Sequence, residues 1–201
     1  MSSRVYVHER ASTNGAPRGG TALMSSKPTL ITYPAEATST QPQLRFLIMD
    51  APRQQNLHLY IKECKKHGVT DIVRVCESTY TGTSELATAG IELHEMAYDD
   101  GTSPPDDVIN RWLDIVYSRF FENEGKKNGT IAVHCIAGLG RAPVLVAIAL
   151  IEFANCDAVN AVAFIRKLRR GAINGKQLTY LEQYKVRRGR SGGGGACCVV
   201  M

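Results

Sequence analysis

The run Val133-His134-Cys135-Ile136-Ala137-Gly138-Leu139-Gly140-Arg141 sets a thiol and a guanidinium at the two ends of a short glycine-containing loop. Its flanks restrict the fold. Thr130 to His134 reads as a short buried strand, and Ala142 to Phe153 is apolar enough for a buried helix whose N-terminus opens onto the loop. Gly138 and Gly140 permit the backbone angles by which successive N–H groups curl around a tetrahedral dianion. A helix N-terminus favours anions, so a phosphate bound in the loop and an attacking thiolate at Cys135 both gain from it. Arg141 can give two parallel hydrogen bonds to phosphate oxygens, which fixes orientation as well as charge. The bland alternative is a small core cysteine and a surface arginine. The preceding His134, the two glycines and the strand-loop-helix context together favour the phosphate reading.

The rest of the chain predicts the frame around that loop. Strands are expected near Leu44 to Met49, Asp71 to Val75 and Ile91 to Met96, with a helix from Leu57 to His67 that ends at Gly68. A helix from about Asp106 to Phe121, the central strand ending at His134, and a helical remainder from Ala142 to Tyr184 follow. Alternation of this kind predicts an α/β fold with a mostly parallel central sheet flanked by helices. Ligands in such sheets sit beyond the strand carboxyl ends, where Cys135 lies.

Attack by a thiolate on a phosphate ester needs a second group, which protonates the leaving oxygen and later takes a proton from water. Tyr98-Asp99-Asp100-Gly101-Thr102-Ser103-Pro104-Pro105 is a loop by its Gly and Pro content, and it carries two adjacent carboxylates. The residues alone do not choose between Asp99 and Asp100, and both also suit turn or first-turn helix positions.

The residues from His134 to Val146 resemble the signature of the cysteine-dependent protein tyrosine phosphatases, and specifically the prenylated phosphatases of regenerating liver, the type 4A group. The likeness runs from about Leu44 to about Val186. It takes in Val73-Arg74-Val75-Cys76-Glu77, Asp99-Asp100-Gly101, the signature loop, and Arg169-Arg170-Gly171-Ala172. It implies a dual-specificity-like phosphatase fold and a phosphocysteine intermediate. By this resemblance Cys135 is the nucleophile, Asp100 the acid, and Arg141, with Ile136, Ala137, Gly138, Leu139 and Gly140, the phosphate cradle. It further implies a reversible disulfide between Cys76 and Cys135, and tuning of the thiolate by His134. Ala142 stands where many tyrosine phosphatases place Ser or Thr, so slow breakdown of the intermediate is expected. Met96-Ala97-Tyr98 departs from the family's usual Trp-Pro-Phe. Asn174 reads as a helix N-cap, and Gln177 either places the hydrolytic water or faces solvent.

The ends of the chain differ from its centre. Residues 1–43 are rich in Ser, Thr, Ala, Pro and Gly and read as a disordered extension, with the phosphatase domain over 44–186. Residues 187–201 form a basic, glycine-rich tail closing on Cys198-Val199-Val200-Met201, a prenylation pattern whose terminal Met favours farnesyl. One isoprenoid binds membranes marginally, and the basic run Lys185, Arg187, Arg188 and Arg190 supplies attraction to anionic inner-leaflet lipid as the second signal. Cys197 is a candidate for palmitoylation. There is no apolar segment of a secretory signal, no bilayer-spanning run and no Gly at position 2. A peripheral protein on the cytoplasmic face of the cell membrane or endomembranes is therefore expected, cytoplasmic when unprenylated.

A net charge of +5 would invite nucleic acid as a partner, but the excess lies in Arg166, Lys167, Arg169, Arg170 and the tail rather than among stacking aromatics, so none is expected. Six cysteines at irregular spacings form neither a zinc pattern nor a disulfide framework, and the scattered histidines match no metal site; no cofactor is implied. The leading function is hydrolysis of phosphotyrosine or mixed phosphoprotein substrates. Two rivals stand beside it. Membrane anchoring favours phosphoinositide hydrolysis, although Ile136, Ala137 and Leu139 offer a polyphosphorylated headgroup no extra cation. The resemblance also implies binding to membrane magnesium-transport mediators, with the pocket capturing a partner loop. Homo-oligomer formation is left open.

Overall fold

Strand β5 (Thr130–His134) is buried along its whole length, as its continuous Ile-Ala-Val interior requires. The structure, a computed structural model, describes residues 23–36, 42–122 and 129–188. Expectations placed on the first residues of the chain, on Arg190 and on Cys197 and Cys198 lie outside these residues.

Around β5 the chain builds a five-stranded sheet. Its members are β1 (Thr29–Tyr33), β2 (Leu44–Met49), β3 (Val69–Arg74) and β4 (Glu92–Glu95), in the order β1-β2-β5-β3-β4. Only β1 runs antiparallel, pairing Leu30 with Leu47 and Ile31 with Phe46. Period-two alternation splits the sheet's side chains between two apolar layers. Phe46, Ile48, Val73, Ile131 and Val133 face one layer with α3 (Asp106–Tyr117), α4 (Arg141–Ala154), α5 (Ala158–Leu168) and α6 (Gly175–Glu182). Leu47, Met49, Ile72 and Ala132 face the other with α1 (Leu57–Lys66) and α2 (Thr83–Thr88). The expected mostly parallel α/β sheet is thus present.

Individual elements follow from local chemistry. Helix α1 buries Leu57, Tyr60 and Cys64 and stops at Gly68, whose φ of 65° is open to a residue without Cβ. Helix α4 is buried on nearly all sides, so it shows almost no polar face. In α3, Trp112 is fully buried, donates Nε1–H to the Leu145 carbonyl at 2.7 Å, and packs on Phe46 at 5.6 Å between ring centroids. Truncating such a side chain costs about 3–5 kcal/mol.

Two expectations need correction. The composition of residues 1–43 predicts a segment outside the folded unit, yet β1 lies within them and forms the sheet edge. Its strength comes from pairing with β2 and from burying Ile31, neither of which five residues between Pro28 and Pro34 reveal. The basic run after α6 is also partly committed within the fold. Glu152 accepts the Arg187 amide at 2.8 Å, the Arg188 amide at 3.1 Å and the Tyr184 hydroxyl at 2.7 Å. Arg187 pairs with Asp106 and Arg188 with Asp114.

Candidate active site

Cys135 follows directly on β5 and is 3 % exposed, and α4 begins at Arg141 on the far side of the loop. The loop's carbonyls all find partners away from the pocket. Ile136 O accepts from Ala51 N at 3.0 Å, Leu139 O from Ile173 N at 2.8 Å, and Gly140 O from Val144 N at 3.2 Å. Gly138 O accepts from Arg169 Nε at 2.6 Å and Ala137 O from Arg169 Nη2 at 3.3 Å. Carbonyls so held leave the loop's N–H groups available to an anion. Gly138 has φ of 67°, and a Cβ there would lie 2.3 Å from the Met49 carbonyl oxygen. Only glycine fits.

A cavity of about 310 Å³ opens above this arc, lined by Cys135, Ile136, Ala137, Leu139, Gly140 and Arg141 together with Asp100, Gly101, Gly171, Asn174 and Gln177. Arg141 is 6 % exposed, and its Nη1 donates to the Tyr98 carbonyl at 2.8 Å and the Val75 carbonyl at 3.3 Å. Those bonds orient the guanidinium. Nε stands 3.1 Å from Asp100 Oδ1, a charge contact without hydrogen-bond alignment. Asp100 itself is 81 % exposed. Asp99 does not line the cavity; its carbonyl closes the turn to Thr102.

Behind the loop, His134 is fully buried, with Nε2 2.9 Å from the Tyr80 hydroxyl. Burial, aided by the nearby Arg74 charge, lowers its pKa to about 3, so the imidazole stays neutral at physiological pH. Arg74 lies over the Tyr80 ring at 4.7 Å and donates to the Tyr80 carbonyl. Cys76 is 2 % exposed, with Sγ 3.9 Å from His134 Nδ1. It leaves β3 next to the point where Cys135 leaves β5, the last register pair being Arg74 with His134. Burial, then the charge of Cys135, pushes the Cys76 thiol up to about 11. Both thiols are free.

Of the two alternatives for Gln177 the solvent-facing one does not hold, and several further groups emerge only from the fold. Gln177 is 8 % exposed rather than solvent-facing; Asn174 accepts the Gln177 amide, Gln177 Oε1 accepts the Asn174 amide, and the Gln177 side chain meets Gly140. Its place three residues after an N-cap was the available signal. Arg169, counted there as surface charge, is 6 % exposed and holds the loop. A second recess of about 430 Å³ adjoins the first along Ile136 and Ala137 and is lined also by Ser25, Ser26, Asp50, Ala51, Arg53 and Thr79. Away from the site, Asp71, Glu92 and His94 bring potential metal-ligand atoms within 4.8 Å of one another, a grouping across β3 and β4 that linear spacing hides. Arg119, His94 and Thr70 all bond Asp71, and together they outweigh burial and hold its carboxyl below the usual range. The group works as an ion-pair network.

Comparison with known proteins identifies the family. Residues 38–186 match the family described as "Dual specificity phosphatase, catalytic domain". The chain is 51 % identical over 144 residues to "Probable protein tyrosine phosphatase type IVA A" of Dictyostelium discoideum, covering 72 % of this chain and 84 % of that protein. It is 47 % identical over 155 residues to human "Protein tyrosine phosphatase type IVA 3", covering 77 % and 87 %. A solved structure described as "Protein Tyrosine Phosphatase (putative) from Leishmania major" superposes with TM-score 0.70 at 39 % identity, over 80 % of this chain and 99 % of that one. By these matches the chain belongs to the type IVA (PRL) family of cysteine-dependent protein tyrosine phosphatases.

Proposed function

We propose that Cys135 is the nucleophile, Arg141 the phosphate clamp and Asp100 the acid and then the base of this phosphatase, acting on phosphotyrosine or mixed phosphoprotein substrates. The observation that carries the reading is the single cavity lined by all three groups above a loop whose carbonyls are bonded outward. A phosphoryl group entering the arc takes the loop amides and the free edge of Arg141, and Asp100 gives up its contact with Arg141 Nε. The thiolate attacks phosphorus while Asp100 protonates the departing phenolate. In the second step Asp100 takes a proton from water as that water displaces the thiolate. Gln177, fixed beside Gly140, is positioned to orient that water.

Ala142 is fully buried immediately after Arg141 and offers the departing thiolate no hydroxyl. The intermediate therefore decomposes slowly. Mixing the enzyme with an aryl phosphate and locating the phosphoryl group by mass spectrometry tests the assignment: it should accumulate on Cys135 and be absent in Cys135→Ser. Ala142→Ser should raise the steady-state rate, and a rate unchanged or lower removes this explanation of slow turnover.

The same residue favours a second reading, in which the pocket captures a loop of a membrane magnesium-transport mediator more than it turns over substrate. If Asp100→Ala spares the cellular effect while Cys135→Ser abolishes it, capture is the function. Two further proposals concern the C-terminal residues and the pair of buried thiols. Residues 187–201 tether the domain of residues 44–186, extended by β1, to the cytoplasmic face of a membrane through prenylated Cys198. Cys198→Ser should release the protein from membranes. Among the described residues no helix is long and apolar enough to cross one. Peroxide converts Cys135 to a sulfenic acid, which the Cys76 thiol resolves to a disulfide with loss of water.

A further inference from the structure

Backbone wrapped around an anion has an obligatory reverse side. If the amides of residues 136–140 point inward to phosphate, their carbonyls need donors elsewhere, because an unpaired buried carbonyl is costly. Three of these acceptors are met by main-chain amides, those of Ala51, Ile173 and Val144. The two at the apex, Ala137 O and Gly138 O, are both met by one side chain, Arg169. That guanidinium in turn is held from behind. Its Nη1 donates to the Lys27 carbonyl at 3.3 Å and Thr29 Oγ1 at 3.0 Å, and its Nη2 to Ser26 Oγ at 3.3 Å.

The stretch from Ser26 to Thr29 precedes the 38–186 family match. Ser26 is fastened independently, its amide donating to Asp50 Oδ2 at 3.1 Å, while Tyr60 donates to the other oxygen of the same buried carboxylate. Asp50 also balances the charge of Arg169. Space at the apex is closed as well: a Cβ on Gly138 would come 2.7 Å from Arg169 Nη2.

We propose that Arg169 is a positioning residue for the phosphate loop and that Ser26 and Thr29, ahead of the family's matched region, complete the loop's support. The inference rests on the assignment of this loop as the phosphate site. Arg169 touches no substrate; it acts by holding two carbonyls outward, which keeps the intervening amides convergent. A lysine supplies charge but not the fork that reaches both carbonyls. The serine and threonine hydroxyls hold only the far side of the fork, so their loss loosens it without emptying it.

The test uses the full chain and orthovanadate as the probe. Vanadate dissociation constants are measured by titration for the parent, Arg169→Met, Arg169→Lys and the double variant Ser26→Ala/Thr29→Val, alongside kcat and KM for an aryl phosphate and thermal unfolding. Arg169→Met should weaken vanadate binding about tenfold or more, with Arg169→Lys and the double variant in between. A residue that merely supports the fold would lower the melting temperature while the folded protein kept its vanadate affinity; a constant within about twofold of the parent in both Arg169→Lys and the double variant overturns the proposal. If Arg169→Met does not fold, those two variants decide alone. Parent protein that binds no vanadate instead refutes the phosphate-site assignment, so the two failures are told apart.

Discussion

The phosphate loop and the acid loop meet at Arg141 but are built in opposite ways. The first is buried, has glycine where nothing else fits, and has each outward carbonyl bonded. The second presents Asp100 at 81 % exposure, with one charge contact as its attachment to the pocket. The difference suits the tasks proposed for them. Binding a dianion gains most from donors fixed before the ligand arrives. Proton transfer needs a group that can move from one oxygen to another between two steps, so exposure on a loop that starts from buried Met96 and Tyr98 suits it.

That contrast predicts mutants of very different kinds. Gly138→Ala should have the largest effect, because the added methyl meets the Met49 main chain and a positive φ together. Vanadate affinity and kcat/KM should both fall by about 100-fold, and unchanged affinity by titration would mean that the arc is not preorganised. Asp100→Asn comes next. It should lower kcat by about 100-fold on a phosphotyrosine peptide, yet leave vanadate affinity near that of the parent. Asp99→Asn, which touches neither cavity nor clamp, should do little by the same assay. Comparable losses in both variants would erase the distinction between the two carboxylates. The smallest effect sharpens the boundary between the loops. Tyr98 donates its hydroxyl to the Arg141 carbonyl at 3.2 Å, and Tyr98→Phe should raise KM about threefold with kcat nearly unchanged.

How far the residues themselves foretold this arrangement depends on the distance over which each interaction acts. Strand β5, the loop and α4 are continuous in sequence, so their pattern and their function coincide, and all were legible. Helix α6 was legible at its start because an N-cap bond spans three residues. Strand β1 was not: its partner begins only at Leu44, and of its own five residues Ile31 alone is fully buried. Helix α2, six residues with Leu86 alone buried, is too short for periodicity to register. Arg169 eluded the reading for a sharper reason. A charge count treats every arginine as a surface cation, and only three-dimensional proximity to carbonyls of residues 27, 137 and 138 makes this one interior. In the middle loop, Met96-Ala97-Tyr98 replaces the usual Trp-Pro-Phe. What the sequence could not convey is that Tyr98 grips Arg141 twice, through its carbonyl and its hydroxyl.

Glu152 has a mechanical consequence. It sits on α4, the same rod that begins with Arg141, and it takes the amides of Arg187 and Arg188. Arg141 at the cavity and the anchorage of Arg187 and Arg188 are thus two stations on one stiff axis, roughly 16 Å apart at 1.5 Å per residue. Under the proposed prenyl tether, a pull from a bilayer would load this buried helix, which would then set the angle at which the cavity meets the lipid surface.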